Sequence, residues 1–152
     1  MRRALLPRWR DGDRPLVRWP LTRPAGDPLN WDIQVHGRLA VVVVDGELDV
    51  DTAPGLGEAL TPLAEAGRDL VLDLAGVRFC DCAGLSLFLR VQKQAAAAGG
   101  SLHLAAPIVQ VRRLIIVARL SDVLPVTDRT ADVIAALAQA AADGPREPRR
   151  PG

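Results

Sequence analysis

Hydrophobic positions change their period several times along the chain, and this change predicts alternating strands and helices. Residues 31–36 alternate apolar and polar side chains, as a half-buried strand does, whereas residues 39–44 form a continuous apolar run typical of a strand covered on both faces. Apolar residues then recur at helical spacing in four later segments. Strands are predicted at 31–36, 39–44, 70–74, 101–105 and 123–126, and helices are predicted to begin near Pro54, Ala83, Pro107 and Thr130.

The order of these elements, β-β-α-β-α-β-α-β-α, predicts an α/β fold. Strands that alternate with helices form a mixed, largely parallel sheet, here of about five strands backed by four helices. Asp51 and Thr52 precede the first helix and are interpreted as its caps. The second predicted helix, 83–98, ends at two glycines and is expected to bury one face. That face comprises Leu85, Phe88, Leu89, Gln92 and Ala96.

The two ends of the chain differ in composition from its middle. Residues 1–30 contain five prolines and seven arginines, a spacing that no helix or central strand tolerates, and they are predicted to form a mobile arm. One or two of Trp9, Trp19 and Trp31 are expected to pack on the domain, because burying an indole is favourable. Residues 143–152 are rich in proline and arginine without an apolar anchor and are predicted to be disordered. The domain therefore spans residues 31–142.

Charge and composition argue against several classes of function. Residues 31–142 carry thirteen acidic and nine basic side chains, and the aromatic content of the chain is 3%, so direct binding of nucleic acid is not expected. The longest apolar runs are far shorter than the roughly 20 residues of a membrane-spanning helix. Cys80 and Cys82 are too close for an ordinary disulfide, and no secretory signal precedes them, so a cytoplasmic protein is expected.

Catalytic and cofactor motifs are missing from the sequence. A zinc site needs about four converging ligands, but His36 and His103 lie far from the two cysteines along the chain. No glycine-rich phosphate loop follows a predicted strand. No metal or cofactor is therefore expected, while a Cys-His catalytic pair at Cys82 stays open at this point.

The segment from Phe79 to Ser86 joins a predicted buried strand to a helix. Cys82 falls near the helix N-terminus, where unpaired N–H groups and the helix dipole favour an anion such as phosphate or thiolate. Gly84 would leave the helix start bare, so that the backbone of another molecule could approach closely. Local sequence alone leaves two readings open, a switch and a turn whose small residues only pack.

Six segments bear on that choice: 46–49 (GELD), 52–54 (TAP), 70–74 (LVLDL), 77–85 (VRFCDCAGL), 98–102 (AGGSL) and 111–114 (VRRL). In this order and spacing, over about residues 33–140, they resemble the STAS domain of bacterial anti-sigma factor antagonists. The resemblance implies the same α/β fold. It also implies that the chain binds an anti-sigma factor, typically a serine kinase of the histidine-kinase-like ATPase fold, and so regulates sigma-factor-dependent transcription by partner switching.

In that family the switch is a phosphorylated serine directly after the aspartate of an Asp-Ser-[Ser/Ala]-Gly-Leu motif. Asp81, Gly84 and Leu85 match the motif, but Cys82 stands where the serine is expected. Three explanations remain open: a constitutive antagonist, a thiol sensor at Cys82, whose thiolate the helix would favour and Asp81 would oppose, or phosphorylation at Ser86. The expected partner-binding residues are Asp49, Asp51, Thr52, Asp81, Cys82, Ala83, Gly84, Leu85 and Ser86.

Arg112 and Arg113 on the third predicted helix are interpreted as a solvated face, with a partner contact as the alternative. A STAS subunit of another signalling or lipid-transport complex is the alternative function within the fold. The oligomeric state is left open.

Overall fold

The computed structural model describes residues 17–19 and 28–142, and it places six strands in one sheet with four helices around it. Because strands and helices alternate as predicted, the α/β fold with a mixed, largely parallel sheet is confirmed. The strands are β1 (Val17–Trp19), β2 (Leu29–His36), β3 (Leu39–Leu48), β4 (Asp69–Cys80), β5 (Ser101–Ala105) and β6 (Val126–Thr127); the helices are α1 (Ala53–Glu65), α2 (Cys82–Ala97), α3 (Val109–Val117) and α4 (Thr130–Ala142).

The strands are arranged in the sheet in the order of the chain, from β1 to β6. β2 and β3 form an antiparallel hairpin whose turn contains Gly37 at φ 55°, a left-handed conformation that suits glycine. From β3 to β6 all neighbours are parallel. Parallel strands need crossover connections, and α1, α2 and α3 supply them.

The two faces of the sheet are covered unequally. Buried side chains of α1, α2 and α3, among them Leu56, Phe88 and Ile115, join the strands in the main hydrophobic core. On the other face a smaller cluster includes Val133 and Ile134 of α4 and the strand residues beneath it. Within residues 17–19 and 28–142, α4 is therefore the element that covers the apolar patch of the second face.

Several element boundaries differ from the sequence-based prediction. β3 continues to Leu48 and β4 to Cys80, because their second halves remain paired through register shifts that the apolar pattern does not show. The last strand is Val126–Thr127 rather than 123–126, and α3 begins at Val109, two residues after Pro107. The buried face of α2 was also predicted wrongly, since Leu87, Val91 and Ala95 lie in it and Gln92 and Ala96 do not. It comprises Gly84, Leu85, Leu87, Phe88, Val91 and Ala95.

Part of the predicted arm is ordered into the sheet. Val17–Trp19 forms the short edge strand β1, antiparallel to β2, a position that tolerates prolines nearby. β2 begins at Leu29, just before the predicted domain start, and Trp31 is buried. The rest of the arm, including Trp9, and the predicted tail lie outside the described residues, so their predicted disorder stays a prediction.

Candidate functional site

The carboxyl ends of β3 and β4 lie side by side and bring the two predicted site segments together. Leu48 pairs with Cys80 at the ends of these parallel strands. The Asp81 amide then donates a hydrogen bond to the Leu48 carbonyl at 3.2 Å. The loop after β3, residues 49–52, and the start of α2 therefore occupy one edge of the sheet.

The loop after β3 is held by its own side chains. Asp49 Oδ1 accepts hydrogen bonds from the amides of Asp51 (2.9 Å) and Thr52 (3.0 Å). Thr52 Oγ1 accepts from the Asp49 amide and donates to the Glu47 carbonyl at 2.8 Å. Of the two predicted caps of α1, Thr52 does occupy the N-cap position, but its side chain makes no cap hydrogen bond. The carboxylate of Asp49 bonds the loop amides before the helix instead. Thr52 is buried, so this loop presents Val50 and Asp51 to solvent.

Asp81 is the N-cap of α2. Its Oδ1 accepts hydrogen bonds from the amides of Ala83 (2.9 Å) and Gly84 (3.4 Å). A helix start has four amides without an intrahelical partner, and an internal carboxylate bonds two of them here. The expected anion-binding position beside Cys82 is therefore already partly filled by the negative charge of Asp81.

Gly84 has a different role from the predicted one. A Cβ on Gly84 would lie 2.5 Å from Cys80 Sγ and 2.9 Å from Leu48 Cδ2. The glycine thus lets α2 pack against the protein's own core, not against the backbone of another molecule. Leu85 is buried as well. Of the predicted partner-binding residues, Asp51, Cys82 and Ser86 are exposed, Asp49, Asp81 and Ala83 are half-buried, and Thr52, Gly84 and Leu85 are buried.

The two cysteines lie in opposite environments. Cys80 is completely buried, and burial, followed by the charges of Asp81 and Cys82, raises the pKa of its thiol to about 12. Cys82 is exposed as the first residue of α2. Any thiol chemistry at neutral pH therefore belongs to Cys82, since a thiol with so high a pKa forms almost no thiolate.

The histidines lie away from this edge. His103 is on β5, where its Nε2 is 3.0 Å from Ser101 Oγ, and that hydroxyl donates to Asp69 Oδ1 at 2.7 Å. Burial lowers the pKa of His103, although Asp69 opposes the shift. His36 ends β2 at the hairpin. Among residues 17–19 and 28–142 no group of three or more His, Cys, Asp or Glu side chains is arranged to hold a metal ion.

Gln110 was missed by the sequence analysis. Its Nε2 donates to the Cys80 carbonyl at 3.0 Å, and its Oε1 accepts from the Cys80 amide at 3.4 Å. β5 pairs with β4 only as far as Asp73, so this side-chain amide occupies part of the free edge beyond it. Gln110 therefore holds α3 next to the site through hydrogen bonds. The sequence does not indicate this role, because many polar residues of helices only face solvent.

A groove between α1 and α2 was also missed. It has a volume of about 670 Å³, opens to solvent and begins at the site, where Val50, Ala83 and Ser86 line it. Val50 is 69% exposed. The sequence indicated this groove only through Val50, an apolar residue between Asp49 and Asp51 in a surface loop.

The arginines of α3 agree with the prediction of a solvated face. Arg113 is exposed, and Arg112 Nη2 pairs with Asp128 Oδ1 at 2.5 Å. None of the helices in the described part of the chain has the length and apolar content needed to span a bilayer.

Comparison with known proteins identifies the family of the chain. A sequence profile of the STAS domain family matches residues 30–133. The chain is 34% identical over 102 residues to the anti-sigma-B factor antagonist of Bacillus subtilis, covering 67% of this chain and 94% of the relative. It is 33% identical over 103 residues to the protein of the same name from Staphylococcus aureus strain NCTC 8325 / PS 47, covering 67% and 95%. A crystal structure of an anti-sigma factor antagonist from Mycobacterium paratuberculosis matches with a TM-score of 0.67 at 26% identity, covering 76% of this chain and 99% of that one.

Proposed function

We propose that this chain, which belongs to the STAS domain family, is an anti-sigma factor antagonist that regulates transcription indirectly by binding an anti-sigma factor. One observation carries the proposal: in a chain 34% identical to a named antagonist, the exposed residues of two segments that are separate in sequence, the loop after β3 and the start of α2, meet at one edge of the sheet. The protein acts by binding and not by catalysis.

The proposed partner is a serine kinase of the histidine-kinase-like ATPase fold in the cytoplasm. Its capture by this chain would release the sigma factor that the kinase otherwise holds. The binding edge presents Val50 and Asp51 from the first loop and Cys82 and Ser86 from α2. The hydrogen bonds of Asp49 and Asp81 hold both segments in place before the partner arrives, which reduces the entropic cost of binding.

The proposed switch differs from that of the family at one atom. Cys82 occupies the position of the phosphorylated serine, and a thiol is not a routine substrate of a serine kinase. The chain is therefore proposed to be a constitutive antagonist, whose complex persists in the presence of ATP. Because Cys82 is exposed, a serine substituted there would be open to a kinase, so the reading can be tested at this position.

The test is to titrate the purified chain with each kinase-type anti-sigma factor of its source organism, with and without ATP and Mg²⁺, and to measure its intact mass afterwards. We expect one partner to bind equally under both conditions and the chain to stay unmodified. Cys82→Ser should gain a phosphate and release that partner when ATP is present. Cys82→Ala is the matched control and should behave as wild type.

Two results would contradict the proposal. Wild-type protein that gains a phosphate and releases its partner would move the switch to another hydroxyl, Ser86 first, because it is exposed one helical turn beyond Cys82. Failure of every anti-sigma factor to bind, together with co-purification of a transporter ATPase, would assign the chain to a different STAS complex.

A further inference from the structure

The groove between α1 and α2 has a floor of small residues. Ala53, Gly57 and Thr61 follow one another at intervals of four and so share one face of α1, opposite Ala83 and Leu87 of α2. Short side chains along this face keep the groove open. Because the groove is wide open to solvent, it would not enclose most of the surface of a small ligand, and it suits a segment of a larger partner better.

Arg90 supplies an unused positive charge inside this groove. A Cβ on Gly57 would lie 2.6 Å from Arg90 Nη2, so the missing side chain of the glycine is what makes room for the guanidinium. Arg38 and Arg112 each pair with a carboxylate, at 3.3 Å and 2.5 Å, whereas no hydrogen bond or ion pair joins Arg90 to any other residue in the described part of the chain. Its planar donors match a carboxylate, which accepts two parallel hydrogen bonds from them.

The end of the groove away from Arg90 is apolar. Val50 is 69% exposed there, and Pro54 continues the apolar surface. Ala83 and Arg90 are separated by seven residues of α2, which is about 10 Å along the helix axis. An occupant of the whole groove therefore needs an apolar side chain and a carboxylate about 10 Å apart, a spacing of roughly two helical turns.

From this geometry we infer that the α1/α2 groove binds an amphipathic helical segment of the anti-sigma factor, with an apolar residue against Val50 and an acidic residue paired with Arg90. The inference rests on the proposed function and adds to it the chemistry of the bound segment. Helix-in-groove docking of this kind places its anchors at helical intervals on one face. Glu58 also lines the groove, and its charge would repel the same acidic residue.

The experiment measures affinity for the anti-sigma factor that binds wild-type protein, with four variants. Arg90 is exposed in the free chain, and we expect Arg90→Glu to weaken binding about tenfold, since the attraction that forms when a partner covers the groove becomes a repulsion. Val50→Ser should weaken binding too. Glu58→Gln should leave the affinity unchanged or raise it. Arg129→Glu, an equal charge reversal at an exposed residue outside the groove, is the matched control and should stay within about twofold of wild type.

A photo-crosslinking residue in place of Glu58, which lines the groove but is exposed and is not part of its floor, reads out the occupant directly. We expect it to capture a helical peptide of the anti-sigma factor that contains an aspartate or glutamate. Capture of a basic segment or of a second copy of this chain would overturn the inference. So would Arg90→Glu protein that is folded, by its melting temperature, and binds as wild type does. These failures leave the proposed function intact, whereas an absence of binding to wild-type protein would count against that function itself.

Discussion

The shape of the site depends on the close packing of Gly84 against Cys80 and on the hydrogen bonds of Asp49. The hydrogen atom that Gly84 carries in place of a side chain allows α2 to approach Cys80 and Leu48. Asp49 orders the loop after β3 through two backbone amides. Both contacts are within the chain. They fix the shape of the proposed binding edge, at which Cys82 and Ser86 are exposed.

The first prediction concerns Gly84→Ala. The added methyl group would overlap Cys80 Sγ and Leu48 Cδ2, and overpacking of a buried site costs about 1–3 kcal/mol, more than the roughly 1 kcal/mol that alanine gains in helix propensity. We expect a lower urea midpoint of unfolding. Ser86→Ala, on the exposed side of the same helix, is the control and should change the free energy of unfolding by less than about 0.5 kcal/mol. A variant as stable as wild type would show that α2 shifts freely at its start.

The sequence identified these residues as special but not their orientation. Gly84 and Leu85 belong to a recognisable motif, yet a motif does not tell whether a residue faces the core or a partner. Asp49 and Asp51 are chemically identical, and only the backbone path of the loop selects Asp49 as the acceptor. Cys80 and Cys82 are likewise separated by a single residue, and the end of β4 between them turns one inward and the other outward.

At the scale of elements, the end of β4 depends on a helix that comes much later in the chain. β4 is longer than β5, and Gln110 of α3 bonds to both backbone groups of Cys80 where β5 has ended. A strand edge left without a partner exposes unpaired N–H and C=O groups. α3 therefore stabilises the strand end from which Asp81 and Cys82 follow.

The second prediction concerns Gln110→Ala. Because Gln110 is exposed, water can replace its side-chain amide, so loss of the two hydrogen bonds to Cys80 should cost about 0.5–1.5 kcal/mol. Amide hydrogen exchange at Cys80 should accelerate, and binding of the proposed anti-sigma factor should weaken although Val50, Asp51, Cys82 and Ser86 are unchanged. Val109→Ala, at an exposed position in the same turn of α3, should leave the exchange rate unchanged. Equal rates in the two variants would contradict the role assigned to Gln110.

The elements themselves were largely predictable. Long periodic segments such as α2 and the apolar run of β3 have a strong pattern, and the structure has them where they were expected. β1 was not predicted, because three residues between prolines hold no periodicity and pair only through the neighbouring strand. The second halves of β3 and β4 were missed because polar residues interrupt their apolar runs, while their backbone pairing continues.

The free energy of unfolding of the whole molecule depends on pH through two buried groups. One lowers it as the pH falls, and the other lowers it as the pH rises. His103 has a lowered pKa because it is partly buried, and Cys80 has a raised one for the same reason. A neutral buried histidine stabilises the fold above its ordinary pKa and loses this contribution as the pH falls below it. A buried thiol stabilises the fold below its ordinary pKa of 9.0 and loses this contribution as the pH rises towards 12.

The third prediction concerns the loss of stability at alkaline pH that the Cys80 thiol causes. The chain has no tyrosine and a single lysine, so few other groups titrate between pH 9 and 10.5. We expect the free energy of unfolding to fall by about 2 kcal/mol over this interval, at about 1.4 kcal/mol per pH unit. In Cys80→Ala the fall should largely disappear, although the variant starts from a lower stability because it leaves a cavity. An equally steep fall in the variant would assign the effect to another group.

The neighbour-by-neighbour order of the strands has a consequence for synthesis on the ribosome. Each strand leaving the exit tunnel finds its predecessor already in place, so the sheet can grow from the amino end without waiting for distant partners. The binding edge, formed by β3, α1, β4 and the start of α2, is complete well before α4 is made. In the described part of the chain, Leu39, Val41, Val71 and Ala105 then lack their cover until α4 arrives. The nascent protein thus passes through a stage in which the proposed binding edge is formed while an apolar patch of the sheet is still exposed. Exposed apolar surface favours aggregation, so a chaperone protects the chain most at this stage.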